Sequence, residues 1–290
     1  MTRFLIPALV AVSSVAASAQ DGSGLTFGGD VKLDYTDVGS GVLALDGDVA
    51  ASWRSGGVLG FDASLDATYL DGSDFTNLWA ALVLSTGAGE FAVGAPRPLV
   101  ESLGVMPRFS TSRVIDLESM PLRGTFAPLV SALDNGMTPG VTWKQEAGNL
   151  TFGAGYHHLN DRNVDLAQGV MRYSAGATSL FINGEYATAP GEDVTTLQIG
   201  GLHDAERFDL GAAFTRVDGG AGINSVRLHG SVDVMSALTV RGDALLIQDT
   251  SDIYSVSATY NLDSGLYVEG GGTKVVGQDE ILDIGVGYKF

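Results

Sequence analysis

From about residue 24 onward, apolar and polar side chains alternate with a period of two. Over 25–35, Leu25, Phe27, Val31, Leu33 and Tyr35 share one face, while Gly28, Asp30, Lys32 and Asp34 share the other. Over 59–69, Leu59, Phe61, Ala63, Leu65, Ala67 and Tyr69 alternate with Gly60, Asp62, Ser64, Asp66 and Thr68. Residues 254–262 and 282–290 repeat the pattern. An amphipathic helix would bring apolar positions back every three or four residues, so the pattern predicts strands. Turn-forming clusters, from 36–41 to 276–279, punctuate the chain at intervals of roughly 8 to 15 residues. Together with one long irregular segment at 96–134 they give about 15 connections, hence about 16 strands.

Such alternation suits a membrane barrel or a soluble β-sandwich. The aromatic residues favour the barrel. Trp53, Phe91, Trp143, Phe152, Phe208, Tyr254, Tyr288 and Phe290, among others, fall near predicted strand ends, and Val, Leu, Ile, Ala and Gly fill the apolar face between them. Two aromatic girdles around an apolar band mark a transmembrane barrel, whose other face is polar and wet. The expected fold is therefore all-β: one transmembrane antiparallel β-barrel over 20–290, with both chain ends at one rim. A secreted sandwich acting as an adhesin or lectin is the alternative from another class. A β-solenoid would need a short fixed repeat, and none is present.

Composition narrows the picture further. Gly reaches 40 of 290 residues, Cys is absent, and only 17% of residues are charged. The absence of Cys excludes disulfides, thiolate nucleophiles and Cys-zinc sites. A net charge of -18 argues against nucleic-acid partners, which need clustered Lys and Arg. Arg3, the apolar run 4–16 and Ala17-Ser18-Ala19 have the layout of a cleaved secretory signal over 1–19, too short to span a bilayer as a helix. An exported chain with no later apolar stretch of that length enters a membrane only as a closed barrel.

The segment 96–134 breaks the alternation. It holds five of the eight prolines, and Arg97, Glu101, Arg108, Arg113, Asp116, Glu118 and Arg123 interrupt short apolar runs. Its apolar content suits a long functional loop folded into the barrel, where it would narrow the passage to solute size. Parity turns Asp30, Asp34, Asp46, Asp48, Asp62, Asp66, Glu185, Asp209, Asp233, Asp243, Glu269 and Asp283 toward the lumen. Fewer basic residues share that face: Lys32, Lys144, Arg172, Arg227, Arg241 and Lys289. A wall with this acidic excess predicts a mild preference for cations. The loop arginines oppose it, and could make the loop the positive side of a field across the passage.

These features resemble those of bacterial general diffusion porins of the 16-stranded, trimeric type. The resemblance is carried by the signal sequence, Gly89-Glu90-Phe91-Ala92-Val93-Gly94, the long third outer loop ending in Asp134-Asn135-Gly136-Met137, and the terminal Gly287-Tyr288-Lys289-Phe290. It implies an outer-membrane homotrimer for passive diffusion of small hydrophilic solutes and ions, with no cofactor. Tyr288 and Phe290 would then form the signal read by the barrel-assembly machinery. Two departures stand out: every outer loop except the third is very short, and the third opens with prolines.

Other chemistry is weakly represented. His157 and His158 with distant His203 and His229 do not make a metal-ligand pattern, and no Gly-x-Ser-x-Gly accompanies them. Gly219-Gly220-Ala221-Gly222 lacks the following Lys and helix of a phosphate loop, and reads as a hairpin turn. A substrate-specific channel is the remaining rival; Trp79, Phe181 and Tyr267 face inward by parity but form no continuous track.

Overall fold

The computed structural model describes residues 24–290 apart from 38, 40, 71–72, 128–136, 161–162, 190, 221 and 263. The expected signal over 1–19 and the turn residues Asp134 to Gly136 lie outside the described residues. The strands are β1 (Leu25–Asp37), β2 (Val42–Ser55), β3 (Leu59–Leu70), β4 (Ser73–Thr86), β5 (Gly89–Ala95), β6 (Gly140–Ala147), β7 (Leu150–Leu159) and β8 (Val164–Ala175). They continue as β9 (Thr178–Ala189), β10 (Glu192–Ala205), β11 (Phe208–Asp218), β12 (Ile223–Met235), β13 (Leu238–Ile247), β14 (Ile253–Asn261), β15 (Leu266–Val275) and β16 (Glu280–Lys289). Each pairs antiparallel with its sequence neighbours, and β1 pairs with β16 from Asp30↔Lys289 to Asp37↔Leu282. Closure leaves no strand edge unpaired, which is what allows a sheet to sit in hydrocarbon.

The period of two becomes an inside and an outside. On β4, Leu78, Leu82 and Leu84 are exposed, whereas Asn77, Trp79, Ala81 and Val83 turn inward and are buried. The outward set includes Leu82 and Val256, each 64% exposed, and Ile284 at 60%. Similar residues surround the whole barrel. A continuous apolar belt of this extent far exceeds the patches that soluble monomers expose, and it matches a lipid-facing band.

The two rims differ. At the rim carrying Leu25 and Lys289, aromatic rings pack together: Phe91 lies 6.5 Å from Trp143, Trp143 lies 5.4 Å from Phe152, and Phe27 lies 5.5 Å from Phe290. At the opposite rim three tyrosine hydroxyls donate to aspartates. Tyr186 reaches Asp193 at 3.1 Å, Tyr254 reaches Asp252 at 3.3 Å, and Tyr156 bonds Asp165. Rings with one polar end suit an interface between hydrocarbon and water. The expected turns coincide with the observed hairpins. The long connection, however, runs on to Gly140, past the expected end at 134.

Candidate pore constriction

The connection between β5 and β6 turns into the barrel and carries short helical pieces that the alternation alone did not predict. These are α1 (Leu99–Ser102), α2 (Arg113–Ser119) and a 3-10 turn over Pro121–Arg123. Ser112 caps α2, its side chain accepting from the Ile115 N–H, with Asp116 in the first turn. Pro121 starts the 3-10 turn, and Gly124 ends it with φ of 91°. A side chain at Gly124 would also collide with Gln198 of the wall.

Three apolar seats hold the loop. Leu99 and Val100 pack on Val170. Phe109 and Ile115 pack on Leu245 and Ile247, while Phe126 and Ala127 pack on Leu159, Val164, Leu166 and Ala187. Burying one Leu or Phe side chain stabilises by roughly 1.5–3 kcal/mol, so the seats fix the loop firmly. The inward face is therefore not polar throughout. Where the wall meets the loop it is apolar, because loop and wall form a small dry core there.

Hydrogen bonds tie the loop to strands all around the barrel. The Leu99 N–H donates to Gln168 Oε1 at 2.9 Å, and the Phe126 N–H to Glu185 Oε2 at 2.9 Å. Ser225 Oγ donates to the Leu122 carbonyl at 2.6 Å, and Gln198 donates to that of Arg123. On the other side, Lys32 Nζ donates to the Thr111 carbonyl at 2.5 Å, and the Arg113 N–H to Asp34 Oδ2 at 3.0 Å. The loop therefore bridges the lumen.

Ion pairs complete the attachment. Arg97 reaches Asp48 at 2.9 Å and Glu101 at 2.6 Å, and Arg108 reaches Asp46 at 2.8 Å. Arg113, buried, lies 3.1 Å from Asp46, 3.2 Å from Asp66 and 3.5 Å from Asp116. Arg123 reaches Asp116 at 2.9 Å. Burial alone would push the Asp116 carboxyl up, but Arg123, Arg108 and Arg113 together hold it below its ordinary value. For Glu101 burial prevails over Arg97, and its carboxyl is raised.

The four loop arginines thus act as latches onto the acidic wall of β2 and β3 and onto the loop's own acids. A loop that is simply the positive side of a transverse field does not describe this arrangement. Arg108 is the loop arginine most open to the passage, its side chain 45% exposed against 5% for Asp46. A central opening of about 240 Å³ is lined by all four arginines with Glu101, Asp116 and Arg227. Two wider vestibules adjoin the loop: one of about 550 Å³ against β1–β6, another of about 360 Å³ against β13–β16 and β1.

Of the wall residues expected at the site, Lys32, Asp34, Asp46, Asp48, Asp66 and Arg227 meet the loop or its opening. Asp62 instead pairs with Arg54 at 2.6 Å in the larger vestibule. Asp30 and Arg241 line the other vestibule. The Glu118 side chain lies outside the described residues. Sequence reasoning missed Arg54, Glu90, Gln168 and Gln198. Parity from Asp46 through Asp48, Ala50 and Ser52 reaches Arg54, but its place in a turn-like cluster concealed it. Among the described residues, no group of three or more His, Asp or Glu could hold a metal ion.

Comparison with solved structures places this architecture. A variant of the Rh. blastica porin superposes with a TM-score of 0.65 at 18% identity, covering 92% of this chain and 100% of that one. A second porin structure gives 0.66 at 16% identity, with 92% and 100% covered. The trimer form of OmpT, an outer membrane protein of Vibrio cholerae, gives 0.65 at 14% identity, with 92% and 99% covered. The chain has the porin fold. No family model and no curated protein sequence matches it. At such low identity the likeness is one of backbone path, so the charges and latches of this porin fold are read from its own residues.

Proposed function

We propose that the chain is an outer-membrane channel through which small hydrophilic solutes and ions diffuse passively. The observation that carries this reading is a closed barrel, apolar outside and charged inside, bridged by a latched inward loop beside cavities of about 240, 360 and 550 Å³. Selection then follows from size at the loop and from charge along the wall, with no covalent step. The rim with Leu25 and Lys289 is periplasmic in this reading, and the tyrosine rim faces outward. OmpT is recorded in a trimer form; a homotrimer of this chain, inserted by the barrel-assembly machinery, belongs to the same proposal.

Two expected results test it. A tag inserted in 218–222 should be accessible on intact cells, whereas one in 263–265 should not, because the two hairpins lie at opposite rims. Equal accessibility would contradict the orientation. Reversal potentials under a KCl gradient should show mild cation preference from the acidic wall. The preference should be stronger at 0.1 M than at 1 M salt, as the Debye length falls from about 10 to 3 Å. An anion-preferring pore would show that Arg108 and its neighbours outweigh the wall.

A further inference from the structure

We propose that the vestibule against β13–β16 binds small oxyanions, carboxylates or phosphate esters, on Arg241 and Lys289. The inference rests on the channel reading, since it needs a lumen open to solutes. Four cationic side chains line this cavity of about 360 Å³, Lys32, Arg108, Arg241 and Lys289, against the carboxylates of Asp30 and Glu269. Lys32 is paired with Glu269 at 2.8 Å and backed by Asp34 at 3.8 Å, and Arg108 is paired with Asp46 at 2.8 Å. Asp30 accepts from the Tyr267 hydroxyl at 2.8 Å.

Arg241 and Lys289 differ from these. Among the described residues neither has a carboxylate within the 4.0 Å of an ion pair, and the Arg241 Nε is buried with no hydrogen-bond partner. Elsewhere in the lumen the cations have acids: Arg54 with Asp62, Lys144 with Glu90, Arg227 with Asp243. Arg172, which has no acid partner among the described residues, is tied to Ser174 and Ser179. Lys289 lies 4.9 Å over the Tyr267 ring. That ring rests on Gly287, where a Cβ would fall inside it. The Gly287 contact and the Asp30 bond hold the ring under the ammonium. A guanidinium fork presents paired N–H donors that match a carboxylate or phosphate, and the Lys289 ammonium lining the same cavity adds a second charge. A wall that favours cations at long range can hold such a local site, because contact and screened attraction act over different distances.

The test is single-channel recording in KCl with citrate added to the periplasmic side. Brief current blocks are expected, weakening in 1 M salt. In the double variant Arg241→Gln/Lys289→Gln, half-block should need roughly three to ten times more citrate, the loss of two exposed charge contacts. Lys274→Gln removes a cation at the outer rim, near Glu280, and should leave the block as in the parent. Equal block in the parent and the double variant, or conducting channels indifferent to citrate, would overturn the site. If no channel forms at all, the functional reading falls first. Calorimetry of citrate with the detergent-solubilised barrel then decides the site, binding by the parent but not the double variant supporting it.

Discussion

Replacing Arg113 by alanine should widen the pore while leaving the barrel intact. The guanidinium is buried against Asp46, Asp66 and Asp116, and its Nε donates to Thr68 at 2.9 Å. Removing it leaves Asp66 without a cation, while Asp46 keeps Arg108 and Asp116 keeps Arg123, and breaking a buried pair in this way costs about 3–5 kcal/mol. The loop bears that cost by leaving the wall, because no strand ladder depends on Arg113. Conductance should rise, larger sugars should pass, and the unheated protein should still migrate as a folded barrel on a gel. Arg113→Lys keeps the charge without the fork and should fall between. Unchanged conductance and solute cut-off in Arg113→Ala would show that the apolar seats alone hold the loop.

The second large effect is expected at the seam between β1 and β16. The Phe290 N–H donates to the Gly29 carbonyl at 3.1 Å, and the Gly29 N–H to that of Phe290 at 3.0 Å. The Phe290 ring stacks 6.0 Å from Tyr288 and lies 5.5 Å from Phe27 on the outer face. Deleting Phe290 removes two backbone bonds, each worth about 1 kcal/mol net, and two aromatic contacts worth about 0.5–1.5 kcal/mol each. The yield of assembled barrel should fall severalfold. Lys289→Gln alters only a lumen-side group and should assemble as the parent does. Equal assembly of the two variants would contradict the role given to Tyr288 and Phe290 in barrel closure.

Much of this architecture was legible because a sheet with two different solvents writes its facing into every second residue. Asp46, Asp48, Asp62 and Asp66 were placed inward by parity alone, and all line the lumen. The long loop was legible as a break in that parity. Its internal form was partly available locally: Ser112 ahead of Asp116 is a helix start, and Pro121 before Gly124 a short turn. What the loop touches was not available. Val164 and Leu166 sit on the inward face of β8, where the neighbouring alternation is weak, and their purpose appears only when Phe126 is brought against them. The arginines were similarly ambiguous. A count of charges along the segment cannot show that Arg97 meets Asp48 across 49 positions, or Arg113 Asp66 across 47. That depends on the path of the loop through the lumen.

The central claim is that a latched loop inside a membrane barrel sets a size limit for passive diffusion. Swelling of liposomes carrying the detergent-extracted protein tests it most directly, with a series of uncharged sugars of increasing size. Swelling should be rapid for the smallest sugars, decline steeply with size, and extend to larger sugars in Arg113→Ala. Liposomes that stay impermeable to every sugar, or a protein released in soluble form that never inserts, would contradict the account.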